Sequence, residues 1–566
     1  MPYVITQSCC NDASCVSACP VNCIHPTPDE PEFATADMLY IDPETCIDCG
    51  ACIEVCPVDA IAADEELEPD RQIFGEINAG YYTDHEVDTP PALPVRKVSL
   101  PADRRLRVAV VGAGPAGFYA AEELLKYAQI SVDMFDRLPT PYGLVRAGVA
   151  PDHRATKGVD KVYAAVAARR AFTYHLGIEV GRHIEHADLA ERYGAVIYAH
   201  GASTGKDLHI AGEHLPGSVA APDFVAWYNG HPDHAEDVFD FSTERAVIIG
   251  NGNVALDIAR VLLTDPDSLS ATDIADHALA ALRDSRIREV VIVARRGAAQ
   301  AAFTIGEFIG IGGLPDVDVV IDTQSPALDP VTAQAQADGS LDSTVAAKLR
   351  LVEEYAGRTP VEGRKRVVFR FWTSPLSVTG SPDTGVVGVE CVANTVVAGD
   401  PGCPPRIVAH GDPWEIPAGL VVHAIGYTGR PLRGVPFDTD RGVVPNDEGR
   451  VLDSPGGAVV PGVYVAGWIK RGATGGIGVN RRCGTQTARA VVADFAAGTL
   501  AEPGLPAEDI DAVAAANGAT VVTAAGWQRI DAAEVSAGRV QGRPRRKLVR
   551  FADLLAAVGE PAGEGR

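Results

Sequence analysis

The hydrophobic positions change rhythm along the chain. From Leu106 onward, β-branched runs such as Val108-Ala-Val-Val111 and Ala246-Val-Ile-Ile249 alternate with stretches whose apolar residues recur at helical spacing. That alternation predicts a parallel sheet covered by helices, an α/β fold. One strand–turn–helix pattern occurs twice, with its turn at Gly112 and again at Gly250. Between residues 86 and 105, Pro90, Pro91, Pro94 and Pro101 interrupt any helix or strand, which predicts a semi-extended linker. After about Ala497 the chain becomes rich in Ala, Gly and Pro, with a last amphipathic stretch at 548–558. A chain of 566 residues exceeds what one hydrophobic core organises, so two to four domains are expected.

Composition narrows the class. Hydrophobic residues make up 46% of the chain, enough for buried cores, yet no uninterrupted apolar run of about 18 residues argues for a membrane span. The first residues lack a basic segment followed by an apolar one, so no secretory signal is expected and the cytoplasm is the expected location. The net charge of -26 is unevenly spread. Up to His85, Arg71 is the only Lys or Arg against 17 Asp and Glu. Such a segment repels phosphates, which excludes nucleic acid as its partner and suits a basic protein surface.

Nine of the 12 cysteines precede Pro57, while Cys391, Cys403 and Cys483 are scattered and read as ordinary buried thiols. Close, regular spacing at the head of a large chain points to metal rather than disulfides. Cys46, Cys49, Cys52 and Cys56-Pro57 form C-x2-C-x2-C-x3-C-P. Short loops at this spacing place three thiolates around one iron–sulfur cube and turn the fourth toward a second cluster. Zinc sites separate their cysteine pairs more widely. Cys9, Asp12, Cys15 and Cys19-Pro20 repeat the motif with Asp in the second ligand slot. Because ligands cross over in two-cluster ferredoxins, Cys19, Cys46, Cys49 and Cys52 should hold one [4Fe-4S] cluster. Cys9, Cys15 and Cys56 should hold the other, with Asp12 at its fourth corner. A carboxylate is a harder, weaker ligand for that iron than a thiolate, which leaves [3Fe-4S] and Asp-ligated [4Fe-4S] both open. Cys10 and Cys23 fall outside the ligand register.

The two glycine turns carry nucleotide chemistry. Gly112-Ala-Gly114-Pro-Ala116-Gly117 follows an apolar strand and opens a helix, which permits a tight turn and close approach of a pyrophosphate to the helix N-terminus. The next strand ends in Asp136, placed to accept a ribose hydroxyl. The second turn reads Gly250-Asn251-Gly252-Asn253-Val254-Ala255. Its following strand, 289–294, ends in Arg295-Arg296 with no acid, after an insertion at about 264–285. Two guanidiniums in that place pair with a 2′-phosphate and favour NADP over NAD. Two dinucleotide units joined to iron–sulfur ligands imply a converter between two-electron and one-electron chemistry, which a flavin supplies.

From Leu106 to about Gly559 the chain resembles the adrenodoxin-reductase-like ferredoxin–NADP reductases, a branch of the glutathione-reductase fold. The resemblance rests on Leu138-Pro-Thr-Pro-Tyr-Gly-Leu-Val-Arg146 through His153, on 250–257, on Ala301-Ala-Phe-Thr304, and on Gly467-Trp-Ile-Lys-Arg-Gly-Ala-Thr-Gly475. The head resembles seven-iron bacterial ferredoxins at 20–23 and 38–43, which favours [3Fe-4S] for the first cluster. Together they resemble the fused bacterial ferredoxin/ferredoxin–NADP reductases.

That resemblance implies a small α+β ferredoxin fold at 1–85 and a linker at 86–105. It implies an FAD-binding domain from 106–204 and 425–566, and an NADP-binding domain at 205–424. It implies NADPH–ferredoxin oxidoreductase activity, with a ferredoxin or other one-electron acceptor protein as partner. Beside the glycine turn and Asp136, it places Arg137, Val145, Trp468, Gly475, Gly476 and Ile477 around FAD, with Gly475 also near the nicotinamide. A helix starting near Gly478 would turn its positive end to the flavin. His153 falls close to the flavin and Glu307 near the nicotinamide, the two catalytic candidates. An acidic residue frequent in this branch three positions after that Glu is replaced by Gly310. The other architecture compatible with these parts is an electron-input flavin subunit of the glutamate-synthase type.

Overall fold

The β-branched run Leu106–Val111 lies inside a seven-stranded sheet, flanked in parallel by Ile130–Asp136 and Ala195–Tyr198. Beyond Arg107 it is buried on both faces, and 108–111 reads as a continuous apolar string rather than an alternating one. This computed structural model describes residues 2–69, 71–85, 87, 98–322, 328–397 and 406–559. Strand Val459–Val465 joins the same sheet beside Ala195–Tyr198, with Val463 opposite Val196. The chain therefore leaves this sheet after Tyr198, builds a second unit and returns to complete the first. Most of the expected linker, including Pro90, Pro91 and Pro94, lies outside the described residues, as does Cys403.

The second unit is a six-stranded parallel sheet in the order Ser218–Ala220, Leu420–His423, Arg245–Ile249, Glu289–Val293, Lys365–Arg370, Val317–Ile321. The insertion expected at 264–285 folds as two short helices, Pro266–Leu269 and Asp276–Arg283. An antiparallel sheet of Thr373–Ser381, Gly385–Val397 and Arg406–Pro417, not anticipated from the pattern, packs against this unit through Cys391 and Ile416. The amphipathic stretch expected at 548–558 forms helix Phe551–Gly559. Among the described residues, no helix is long and apolar enough to cross a membrane.

The cysteine-rich head pairs Tyr3–Ile5 with Ile61–Ala63 and Ile24–His25 with Tyr40–Ile41, both antiparallel. Helix Ile73–Asp84 closes it through Asn78. That buried amide accepts from Ile5 N at 3.2 Å and Ile41 N at 2.9 Å, and donates to Ile5 O at 2.9 Å. One side chain thus satisfies the backbone of both hairpins, and losing it would orphan buried N–H groups.

At the far edge of the first sheet, Asp133 takes Arg107 Nε at 2.8 Å and the Tyr193 hydroxyl at 2.7 Å. His175 Nδ1 meets Asp511 Oδ1 at 2.6 Å, tying strand Phe172–Leu176 to helix Ile510–Ala516. Burial alone favours the neutral ring, but the Asp133 and Asp511 carboxylates outweigh it and raise His175 to about 9. A raised folded-state value means stabilisation that is complete below the unfolded value of about 6.5 and is lost as pH rises through 9. His175→Gln should therefore cost about 1–3 kcal/mol at pH 6, and the gap from the unmodified chain should close toward pH 9.5. Denaturant melts across that range measure this, and a gap independent of pH would rule out the charged imidazole.

Candidate redox sites

The two glycine turns have the same geometry. Gly112 sits at φ +113°, where a Cβ would lie 2.4 Å from Ala199 O; Gly250 sits at φ +116°, with Ala424 O at 2.2 Å. Any side chain would push the turn off the neighbouring strand. Around Gly114 and Gly476, by contrast, a Cβ would meet nothing within 4 Å, so the backbone of both is open to a ligand. These positions cap helices Pro115–Leu124 and Ile477–Ala497, whose first N–H groups suit an anion or an electron-rich ring edge. Helix Ile477–Ala497 lies against the first through Gly484, where a Cβ would come 2.6 Å from Ala116 O.

Asp136 is fixed at the end of its strand by Ala113 N at 2.8 Å and Leu138 N at 2.9 Å, leaving lone pairs for a hydroxyl. Arg137 is turned to Asp233 at 2.6 Å, linking the two units. Val145 is buried in the short helix Leu144–Ala147. Trp468 Nε1 donates to Thr474 O at 3.1 Å and Gly475 O at 3.2 Å, pinning the loop that carries Gly475, Gly476 and Ile477. Around this cradle several buried polar atoms have no hydrogen-bond partner among the described residues: both ring nitrogens of His200, next to Gly112, and Nε and Nη1 of Arg471. Unpaired buried donors beside an open backbone cradle fit a large polar cofactor such as FAD.

On the second unit, Asn253 Oδ1 accepts from Thr304 N at 2.8 Å, which ties the turn of Gly250, Asn251, Gly252 and Val254 to the next loop. Arg295 and Arg296 are exposed just beyond strand Glu289–Val293. Their backbone is held by Asn394 and Trp372, while among the described residues no carboxylate engages either guanidinium. Both are free for a phosphate.

The seam between the units carries a network that the sequence reading did not find. Arg260, buried on the second unit, donates from Nε to Asp152 Oδ2 at 2.8 Å and from Nη2 to Asp257 Oδ1 at 2.6 Å. Its Nη2 also meets His153 Nε2 at 2.6 Å, and its Nη1 pairs with Glu307. His153 Nε2 and Glu307 Oε1 come within 3.7 Å. The two catalytic candidates are thus brought together, from opposite units, around one guanidinium. Burial would raise Asp152, but Arg260 holds it below the usual carboxylate range; Asp257 is raised by burial against the same arginine. His153, Asp257 and Glu307 offer three ligand atoms within 4.8 Å of one another, but Arg260 already supplies the cation there.

In the head, Cys19, Cys46, Cys49 and Cys52 line one cavity with Ile24 and Ile41, the set expected for a four-cysteine cluster. Cys23 also reaches this cavity, 3.4 Å from Cys19 Sγ. Cys9, Cys15 and Cys56 gather between the head core and the core of the first nucleotide unit. Burial pushes the Cys9 and Cys52 thiols up to about 11 and Cys15 further, so a metal must offset that cost at these three, whereas the hydrogen bond from Cys23 pulls Cys19 down to about 5. Asp12 is only 5% exposed, and its Oδ2 accepts from Arg481 Nη1 at 2.9 Å and Ser14 Oγ at 2.6 Å. The head is clasped to the first unit at the start of helix Ile477–Ala497. Gly478 N donates to Cys10 O at 2.8 Å, and a Cβ on Gly478 would lie 1.7 Å from Asn11 O. Cys9, Cys56 and Ile477 pack against the same core of the first unit, whereas Cys49 is exposed beside Ile47.

Comparison with known proteins shows the family. Residues 39–62 match the family model of the 4Fe-4S binding domain, and 106–302 match pyridine nucleotide-disulphide oxidoreductase. A probable ferredoxin/ferredoxin–NADP reductase of Mycobacterium leprae is 47% identical over 570 residues, 99% of each chain. The chain belongs to the fused ferredoxin/ferredoxin–NADP reductases. Its reductase part is 40% identical to human mitochondrial NADPH:adrenodoxin oxidoreductase, over 80% of this chain and 92% of that one. A solved structure of Mycobacterium tuberculosis FprA in complex with NADPH superposes with a TM-score of 0.74 at 43% identity, covering 80% of this chain and all of that one. Mixed α/β architecture with two Rossmann-type units is thereby shown, with the head as the addition that family members of this kind share.

The exposed pair Arg295 and Arg296 generates a specificity prediction. A charged hydrogen bond contributes about 1.5–3 kcal/mol, so replacing both by Ala should lower kcat/KM for NADPH about ten- to several-hundred-fold. NADH, which lacks the phosphate, should change little. Equal losses for both nucleotides in steady-state assays would make the pair structural.

Proposed function

We infer that the chain is an NADPH–ferredoxin oxidoreductase in which electrons leave through its own head. The observation that carries this is the clasp between Cys10 and Gly478, which sets the three-cysteine site against the flavin-bordering loop. FAD, held at Gly112, Gly114, Ala116, Gly117, Asp136 and the loop 475–477, supplies the exchange between hydride and single electrons that nicotinamide and iron–sulfur centres cannot make directly. Gly250, Gly252 and Asn253 admit the NADP pyrophosphate to a helix N-terminus, and Arg295 and Arg296 bind its 2′-phosphate.

His153 and Glu307, fixed by Arg260, hold the seam where the nicotinamide meets the flavin site, and Trp468 keeps the loop at Gly475 in place beside it. Cys9, Cys15 and Cys56 hold an inner three-iron cluster. Cys19, Cys46, Cys49 and Cys52 hold an outer [4Fe-4S] cluster, the outlet to a ferredoxin or another one-electron acceptor in the cytoplasm. Acidic residues around that outlet, Glu44, Asp48 and Glu54, suit an acceptor with a basic face.

Anaerobic NADPH titration, followed optically and by EPR, should bleach the flavin and then change the cluster signals. A chain beginning near Ala102 should keep both nucleotide sites and reduce a quinone dye with NADPH. It should reduce a protein acceptor at least about tenfold more slowly than the full chain, since the tethered relay is gone. Undiminished reduction of the protein acceptor would remove the head from the route.

A further inference from the structure

The residue in the place of the missing cysteine is not free to act as a ligand. Asp12 stands where the repeat of the cysteine motif calls for a fourth thiolate, and its charge acts on Cys9, Cys15 and Cys56, so it lies beside the inner site. Both of its oxygens are nonetheless occupied. Oδ1 accepts from Ser14 N at 3.2 Å; Oδ2 accepts from Ser14 Oγ at 2.6 Å and Arg481 Nη1 at 2.9 Å.

Arg481 belongs to the reductase helix Ile477–Ala497, not to the head. Its Nη1 also bonds the Asp12 carbonyl and, at 2.9 Å, Ser14 Oγ, while its guanidinium lies 5.5 Å from the centre of the Tyr119 ring. The neighbouring Arg482 reaches Glu30 O at 3.1 Å, and Gly478 holds Cys10 O. The loop around Asp12 is thus held at two points of one reductase helix, through Gly478 and Arg481, and Arg482 adds a third tie to the head at Glu30. A buried carboxylate paired with a half-buried guanidinium has to give up that pair before it can bind iron.

We propose that Arg481 holds the Asp12 carboxylate off the inner cluster and thereby keeps that cluster at three irons, so that releasing Asp12 opens a fourth site that takes a ferrous ion. This rests on the assignment of Cys9, Cys15 and Cys56 as ligands of a three-iron centre. The conversion balances simply. One electron from an external reductant reduces the three-iron cube; a ferrous ion then enters without further change in electron count. The Asp12 oxygen forms the Fe–O bond as its contacts to Arg481 and Ser14 break. The reductase part thus decides the composition of a cluster whose ligands all lie in the head.

The test uses the full chain, loaded with FAD and clusters, and compares it with Arg481→Met, Asp12→Cys and the double variant Arg481→Met with Asp12→Ala. Each is incubated anaerobically with dithionite and ferrous ammonium sulfate, desalted, reoxidised, and examined by EPR and iron analysis. The unmodified chain should keep the three-iron signal. Arg481→Met should lose it and gain one iron per chain, at ferrous concentrations about ten- to a hundredfold lower than the unmodified chain requires. The double variant should keep the signal, and Asp12→Cys should lack it as isolated. If Arg481→Met keeps its signal while Asp12→Cys has lost it, or if the double variant converts as readily as Arg481→Met, the proposal is overturned. Should Arg481→Met not yield flavin-loaded protein, Arg481→Lys, which keeps the charge with a shorter reach, should convert at intermediate ferrous concentrations; conversion identical to the unmodified chain overturns the proposal. About eight irons and no three-iron signal in the unmodified chain, before any iron is added, would instead mean that Asp12 is already a ligand and that the three-iron assignment itself is wrong.

Discussion

Gly478 and Asn11 approach so closely that no side chain fits between them, and the arrangement of the redox sites depends on that approach. Helix Ile477–Ala497 begins there with three neighbours to satisfy. Its N-terminal loop is pinned by Trp468, its flank lies on helix Pro115–Leu124 at Gly484, and its first exposed N–H groups meet the head. A helix start normally leaves several N–H groups without partners. Here one of them is given to Cys10 O, so the head helps to cap a reductase helix. A bulkier residue at 478 would force the backbone of Asn11 away from the start of the helix.

A second constraint operates at the seam between the nucleotide units. Arg260 gathers Asp152 and His153 from one side and Asp257 and Glu307 from the other. Removing it would leave four groups facing one another without their shared cation, a heavier loss than that of any single pair. Arg137 with Asp233, and Lys157 with Asp273, add further ties between the same units. Orientation of one nucleotide unit on the other is therefore fixed electrostatically as well as by packing.

Much of this was readable from residue order alone, because the features involved are local. The glycine turns, the acid ending one strand, the arginine pair ending another, and the cysteine spacings each act within a few residues of themselves. The strands expected at 108–111, 132–136 and 289–294 form as Leu106–Val111, Ile130–Asp136 and Glu289–Val293. Arg260 and Arg481 were not legible. Each is one arginine in an ordinary helical pattern, and its partners lie up to 469 positions away in the chain. Asp12 was recognised as a ligand substitute, but nothing local shows that a distant helix occupies its carboxylate. The antiparallel sheet of 373–417 also escaped, since its middle and outer strands alternate weakly and its last strand is largely exposed.

The clasp at Gly478 has a kinetic consequence. A freestanding electron carrier must diffuse to its reductase, dock, separate and diffuse again, and each cycle contains two encounters that dilution slows. On the route proposed above, seating the head makes the first handover a step of fixed geometry, indifferent to how much protein is present. The remaining encounter occurs at the other end of the head, where Cys49 and Ile47 meet solvent. On that route, joining two proteins in one chain moves the collision between carriers to the outermost face of the head.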